Sequence, residues 1–137
     1  MILTISVPGV PTAKSRPKFN GKTGRAYTPE KTSQKENEIA EKWFHPKLPK
    51  GQEFGIRVSC EFPRPKTHLN KDGEVKPGYA YAIPGPRIDV DNLLKLVLDA
   101  LNGVAYDDDR FCTGAFVTKR WCSEPGTDGF TTIEVVS

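Results

Sequence analysis

Two groups of aspartates lie close together in the segment RIDVDNLLKLVLDALNGVAYDDDRF, residues 87–111. Asp89 and Asp91 form the first group, and the consecutive residues 107–109 form the second. In extended backbone Asp89 and Asp91 point the same way about 6.6 Å apart. Two charges at that distance repel by roughly 2.5 kcal/mol at an effective dielectric of about 20. A hard cation offsets this repulsion, and proteins often hold Mg²⁺ with one or two carboxylates plus substrate phosphate. The pattern therefore predicts a carboxylate metal site for phosphodiester hydrolysis.

The same residues also have a plainer structural interpretation. Asp89 or Asp91 can serve as a helix cap, and the triple aspartate can be a solvated turn. Lys95 lies one helical turn after Asp91, where it can hold a phosphate or stabilise a charged transition state. Alternatively, Lys95 forms an ion pair with Asp91 or Asp99. We expect Asp99 to be structural, as a partner of Lys95 or of a backbone donor.

The element that must position these groups is a helix over residues 91–102. Its leucines, its valine and its alanine surround most of the circumference, which is typical of a helix buried on several sides. Gly103 suits the position just after a helix end. Because twelve helical residues rise about 18 Å, the acidic turn must fold back along the helix, and residues 104–106 have room to do so. Such a helix is either a central core element or part of a subunit interface.

The remaining pattern predicts one domain over residues 1–137, of the α/β (α+β) class, with a mixed sheet and two main helices in the order β-α-β-α-β-β. We predict strands over residues 2–7, 53–62, 111–122 and 130–136. In the second strand, alternation places Phe54, Ile56, Val58, Cys60 and Phe62 on one face. The first helix begins with Thr28 as N-cap and Pro29 at the first helical position. It runs to about Phe44, and its apolar side is Ile39, Ala40, Trp43 and Phe44. Two long loops, residues 8–32 and 63–86, follow the first two strands, with a short hairpin around Asn20 in the first.

Composition indicates a globular chain with a polyanionic partner. The 137 residues carry a net charge of +3. Residues 1–50 hold 10 Lys and Arg against 4 Asp and Glu, whereas residues 89–137 hold 4 against 9. No apolar run reaches membrane-spanning length, and the first residues lack the pattern of a signal peptide, so we expect a cytoplasmic protein without a membrane partner. The three cysteines have no CxxC spacing and are expected to be free thiols rather than zinc ligands.

The first long loop is a candidate nucleic-acid surface. Phe19 and Tyr27 are interspersed among its basic residues, Lys14, Arg16, Lys18, Lys22 and Arg25. Such an arm can neutralise phosphates and stack on exposed bases, or it can simply aid solubility. The second loop offers less favoured contacts at Arg64, Lys66, Lys71, Lys76 and Arg87.

Two motifs resemble the RusA family of Holliday junction resolvases, especially its phage and prophage branch. They are DVDNLLKLVLDALNG followed by AYDDD, and the N-terminal VPTAKSRPKF with GRAYTPEKT. The resemblance implies a small homodimeric, Mg²⁺-dependent endonuclease that cuts four-way DNA junctions symmetrically. It also implies that Asp89, Asp91 and Asp108 are the catalytic, metal-binding aspartates and that Lys95 is the functional helix lysine. Where the family often continues D-D-x-Q, this chain has Arg110, which can add a phosphate contact, and its extra acid leaves Asp108 and Asp109 as competing assignments.

The sequence thus predicts a structure-specific DNA endonuclease that uses Mg²⁺ and acts as a homodimer. Because a four-way junction has near two-fold symmetry, two paired cuts require two active sites related by a two-fold axis. Two alternatives stay open. One is a nucleic-acid-binding accessory protein without catalysis, and the other is a nuclease acting on flaps or single strands.

Overall fold

The fold is built on a mixed four-stranded sheet, in a computed structural model that describes residues 1–15, 18–27, 29–84 and 88–137. The elements along the chain are β1 (Ile2–Pro8), β2 (Lys18–Phe19), β3 (Ala26–Tyr27), α1 (Glu30–Lys42), β4 (Phe54–Phe62), α2 (Val90–Leu101), β5 (Cys112–Trp121) and β6 (Phe130–Val136). The sheet order is β1-β6-β4-β5. β6 is antiparallel to both neighbours, and β4 is parallel to β5. A parallel pair needs a crossover, and α2 lies in the one between β4 and β5. The predicted α+β class, mixed sheet and order of main elements are confirmed.

One face of the sheet carries the hydrophobic core. Strand β4 shows the reason most clearly, because its buried and less buried residues alternate along its whole length. The buried set was predicted from the alternation in the sequence and consists of Phe54, Ile56, Val58, Cys60 and Phe62. Helices α1 and α2 pack against each other and cover this face. All three cysteines are free, as predicted, and burial raises the pKa of the Cys60 thiol to about 11.

Helix α1 differs from its prediction at both ends. Pro29 occupies the cap position rather than the first helical turn, and Thr28 lies outside the described residues. At the other end the helix stops at Lys42, and Trp43 adopts extended backbone. Trp43 is buried, but Phe44 is 76% exposed, so the prediction that Phe44 lies on the apolar side is wrong. The change to extended backbone breaks the helical periodicity on which that prediction depended.

The opposite face of the sheet is not covered by either helix. Phe116, Arg57 and Glu134 are cross-strand neighbours on β5, β4 and β6. Arg57 and Glu134 are 3.4 Å apart as an ion pair, and Phe116 is 65% exposed. These residues border a shallow groove of about 220 Å³. No helix within the described ranges is long and apolar enough to cross a membrane.

Candidate active site

The carboxylates of Asp89 and Asp91 lie at the start of α2. Asp89 has extended backbone at the cap position, and its carbonyl accepts a hydrogen bond from the Leu93 N–H at 3.2 Å. Its side chain caps none of the first-turn amides. The Asp89 carboxylate instead accepts a long hydrogen bond, 3.4 Å, from the amide of Asn92. Asp91 is exposed in the first helical turn. The helix-cap interpretation therefore does not explain either carboxylate.

Lys95 lies exposed one turn after Asp91 on the same side of α2. None of the ion pairs between described residues involves Lys95. The structure thus realises neither of the two ion pairs that the spacing allowed, with Asp91 or with Asp99. The ammonium group is exposed beside the first group of aspartates, where a phosphate can reach it.

Asp99 has a different partner, Lys14 from the first long loop. The ammonium group of Lys14 lies 3.1 Å from an Asp99 oxygen and 2.5 Å from Glu36 on α1. The backbone N–H of Lys14 also donates to the Asn92 carbonyl at 2.8 Å. Burial lowers the pKa of Lys14, but the hydrogen bonds and charges of Glu36 and Asp99 outweigh it and raise the pKa overall. Lys14 therefore ties the loop to both helices, and its charge is already neutralised within the protein.

After α2 the chain folds back along the helix, as predicted for the acidic turn. Gly103 adopts a φ of 77°, a conformation that glycine tolerates without steric cost. Its N–H donates to the Tyr106 carbonyl at 2.8 Å. The Tyr106 hydroxyl donates to the Leu98 carbonyl at 2.7 Å, and its ring stacks on Phe54 with centroids 4.2 Å apart. Burial raises the pKa of Tyr106, so the hydroxyl stays a neutral donor that holds the acidic turn beside α2.

The three consecutive aspartates of the turn have three different environments. Asp107 pairs with Lys47 at 2.8 Å, and this hydrogen bond lowers the pKa of Asp107. One carboxylate oxygen of Asp108 accepts from the Arg110 N–H at 3.0 Å and caps a short 3₁₀ turn. Burial, followed by a side-chain hydrogen bond with Asp108 and the nearby charges of Asp108 and Asp99, raises the pKa of Asp109. Asp107 is thus compensated by a cation, whereas negative charge accumulates around Asp109.

The structure keeps the two groups of aspartates apart. The hydrogen bond from the Tyr106 hydroxyl to the Leu98 carbonyl places the turn beside the C-terminal half of α2. Asp99 follows Asp91 by eight helical residues, a rise of about 12 Å. Throughout the described ranges, no three His, Cys, Asp or Glu side chains are grouped so that they could hold one ion. The chemistry of the first pair nevertheless suits Mg²⁺, since both residues supply hard oxygens and neither is ion-paired to another described residue.

Lys119 on β5 is a neighbour of the site that the sequence did not reveal. Its ammonium group donates to the carbonyl of Ile88, the residue directly before Asp89. Lys119 alternates with Val117 and Trp121, which both pack against the core. The available signal was therefore a lysine at a position where the strand pattern calls for an apolar residue. This contact fixes the backbone from which α2 begins.

The predicted DNA-binding residues fall into distinct groups. Strands β2 and β3 form an antiparallel hairpin in which Phe19 is 71% and Tyr27 49% exposed. The exposed cations of this hairpin are Lys18, Lys22 and Arg25. Arg110 is exposed and lies 5.0 Å from the ring centre of Phe111. Arg16 and Arg87 lie outside the described residues.

Comparison with known proteins agrees with the motifs. A search of curated proteins finds no match. The family model described as Endodeoxyribonuclease RusA matches residues 8–129. This range includes the hairpin, both groups of aspartates, Lys95 and Lys119, and it covers most of the 137 residues. The chain is therefore an enzyme that belongs to the RusA family of Holliday junction endodeoxyribonucleases.

Proposed function

We propose that the protein is a Mg²⁺-dependent endonuclease that resolves four-way DNA junctions by paired symmetric cuts, in DNA recombination and repair. One observation carries the proposal. Asp89 and Asp91 stand together at the start of α2, and neither forms an ion pair with another described residue, on a chain whose family cuts DNA. Two exposed carboxylates this close together, without an ion-pair partner among the described residues, offer the hard oxygen ligands that Mg²⁺ takes when it arrives with the substrate.

Each residue has a distinct role in this proposal. Asp89 and Asp91 hold Mg²⁺, which when bound activates water and stabilises charge on the scissile phosphate. Lys95, exposed on the same side of α2, contacts the phosphate and stabilises the charge that develops there. Lys119 acts through the Ile88 carbonyl by fixing the backbone before Asp89. It is a positioning residue.

The third aspartate would come from the turn that follows α2, which lies apart from Asp89 and Asp91 in this structure and has to approach them when Mg²⁺ and DNA bind. We propose Asp108, one of whose carboxylate oxygens caps the 3₁₀ turn. Asp109 is the competing assignment because its charge is disfavoured where it lies. Asp107 is not proposed as the third ligand, because its charge is already compensated by the ion pair with Lys47. Separate Asp108→Asn and Asp109→Asn variants distinguish the two, since only loss of the true ligand abolishes cleavage at saturating Mg²⁺.

The proposed DNA surface combines the β2–β3 hairpin with Arg110. Lys18 and Arg25 lie on the exposed hairpin beside Phe19, so cations for phosphates and rings for bases occur on one element. Arg16 and Arg87 remain predicted contacts on sequence grounds. Lys14 is assigned to structure, because its ammonium group is occupied by Glu36 and Asp99.

We propose that the protein acts as a homodimer through the uncovered face of the sheet. Helix α2 is unsuited to this role, since Leu93, Leu96 and Leu101 are almost fully buried within the monomer. Phe116 of β5 is exposed and lies opposite Arg57 of β4, and the Arg57–Glu134 pair offers both signs of charge to a second copy. Sedimentation of a Phe116→Glu variant should show a monomer. A dimer of unchanged affinity would exclude this face.

The function is tested by product analysis on matched DNA substrates. A synthetic four-way junction, a flap and a linear duplex of shared sequence are incubated with the protein, with and without Mg²⁺. The proposal predicts Mg²⁺-dependent, symmetric cuts in the junction. Preferred cutting of the flap would favour a different nuclease, and junction binding without any metal-dependent product would favour an accessory protein.

A further inference from the structure

The second long loop displays an aromatic and aliphatic tip, which we define as residues 79–83. Tyr81 is 97% exposed and Ile83 is 71% exposed, while Tyr79 at the base is 38% exposed. Single exposed apolar residues are ordinary on protein surfaces. Two of them within three residues, on a loop that is otherwise tightly anchored, require a further explanation.

The anchor of the tip is the guanidinium group of Arg64. It donates to the carbonyls of Cys122 at 2.7 Å, Tyr79 at 2.9 Å and Ala80 at 3.4 Å. Beneath it, the buried ring of His68 stacks on Tyr79 at 4.4 Å between centroids. Arg64 was a less favoured DNA contact on sequence grounds, but its donors are directed into the protein. The base of the tip is therefore held in place before any partner binds.

The ring of His68 extends this anchor into the sheet. It meets Trp121 of β5 edge-on, with centroids 5.3 Å apart, and Trp121 in turn meets Phe62 of β4. The Lys76 N–H donates to the His68 carbonyl at 2.8 Å and closes the loop on itself. A loop whose base is already held in place loses less conformational freedom when it binds, which suits a recognition element.

The positive charge around the tip favours a polyanionic binding partner. Residues 64–83 contain four Lys and Arg against two Asp and Glu. Among them Lys66, Lys71 and Lys76 are exposed. An apolar tip flanked by exposed cations matches the two parts of a nucleic acid, whose phosphates attract lysines and whose bases stack on rings. An unbroken duplex hides its base faces, whereas a branch point exposes them.

The tip is also within reach of the proposed cleavage site. Asp89 follows Tyr81 by eight positions in the sequence, and a fully extended chain of eight residue steps spans about 26–29 Å. Base pairs in DNA are stacked about 3.4 Å apart. The tip therefore lies within about eight base pairs of the carboxylates.

From this arrangement we infer that residues 79–83 form a wedge that reads the branch point of the DNA. Tyr81 stacks on a base left unstacked at the junction, and Ile83 inserts beside it, as apolar side chains do at distorted base steps. The inference rests on the proposed function and deepens it. It assigns junction selectivity to this loop rather than to the carboxylates or the hairpin.

The test compares Tyr81→Ala with wild type on a four-way junction and on a linear duplex of the same sequence. Loss of one stacked base should weaken junction affinity about 5- to 150-fold, while duplex affinity stays unchanged. Tyr81→Phe is the matched control and should bind like wild type because it keeps the ring. Lys71→Ala is the charge control and should weaken binding to both substrates equally. A 2-aminopurine placed at the branch point should change fluorescence with wild type and not with Tyr81→Ala.

The outcomes separate this inference from the function on which it rests. Wild type that neither cuts nor prefers the junction overturns both. A second outcome is that wild type prefers the junction and that Tyr81→Ala shows the same preference and the same fluorescence change. This outcome overturns only the wedge and would make the tip a surface for a protein partner. A Tyr81→Ala variant that weakens on both substrates equally also overturns the wedge. Thermal melting of Tyr81→Ala should match wild type, because the side chain is 97% exposed.

Discussion

Replacement of Lys14 by methionine tests whether this residue is a structural tie or a DNA contact. Methionine keeps most of the apolar stem and removes the charge that joins Glu36 and Asp99. Lys14 is 18% exposed, and its partners are 22% and 31% exposed. Hydrogen bonds to charged groups contribute about 1.5–3 kcal/mol each when well buried, and exposed pairs about 0.2–1 kcal/mol. For two partly exposed contacts we expect a loss of about 2 kcal/mol.

The expected loss translates into a measurable change in melting temperature. At about 2.1 cal/mol/K per residue, a chain of 137 residues has an unfolding entropy of about 0.29 kcal/mol/K. A loss of 2 kcal/mol therefore lowers Tm by about 7 °C. Because the pKa of Lys14 is raised above 10.5, this stabilisation is fully present at neutral pH. It is lost as the pH rises through the pKa of the folded state.

The assay is thermal unfolding followed by circular dichroism, combined with junction binding at several salt concentrations. Lys18→Met is the matched control, because Lys18 is exposed on the same arm and should leave Tm unchanged while reducing the salt dependence of binding. Asp99→Asn combined with Lys14→Met should show coupling between the two sites. If Lys14→Met melts like wild type and reduces the salt slope by about 0.9, the structural assignment is refuted.

Three further variants probe the site and its supports. Lys95→Ala should slow single-turnover cleavage by about 10²–10³-fold with junction Kd within about twofold; a variant that binds poorly but cuts normally at saturation would contradict the transition-state role. Lys119→Met should raise the Mg²⁺ concentration needed for half-maximal cleavage, and Lys119→Arg should restore it; an unchanged Mg²⁺ profile would remove Lys119 from the positioning role. Arg64→Leu leaves three backbone carbonyls without their donor and should lower Tm and expose residues 66–80 to proteolysis, whereas a protease-resistant loop would argue against the anchor.

Local pattern was sufficient for the framework of the fold. The alternation in β4 identified its buried face, and the apolar circumference of α2 with Gly103 at its end identified a buried helix. These elements obey short periods that depend only on neighbouring residues. The same reasoning failed at Phe44, because the helix ends at Lys42 and the period no longer applies. The family itself was recognisable from two motifs, and the match over residues 8–129 confirms it.

Contacts between distant parts of the chain could not be read from the sequence. Lys14 was grouped with the basic arm by its neighbours, yet its partners, Glu36 and Asp99, are 22 and 85 residues away. Arg64 likewise donates to the carbonyl of Cys122, 58 residues further along. A cation has the same local signature whether it meets a phosphate or a carboxylate. Only the fold decides which partner lies within reach.

The metal site was predictable only in part from the sequence. Its first pair, Asp89 and Asp91, was selected from spacing alone, and the structure leaves both without an ion-pair partner in the described ranges. The third aspartate depends on how the turn after Tyr106 is placed. There the structure separates Asp107 from Asp108 and Asp109 through the ion pair with Lys47.

The most direct measurement of the central claim is cleavage of a synthetic four-way junction by wild type and by Asp91→Asn across a Mg²⁺ titration. The variant keeps the size of the side chain and removes the charge that would hold the ion. We expect wild type to cut the junction symmetrically only when Mg²⁺ is present, and Asp91→Asn to bind the junction with similar affinity and leave it intact. Cleavage by Asp91→Asn at the wild-type rate and the same Mg²⁺ concentration would contradict the assignment of the metal site.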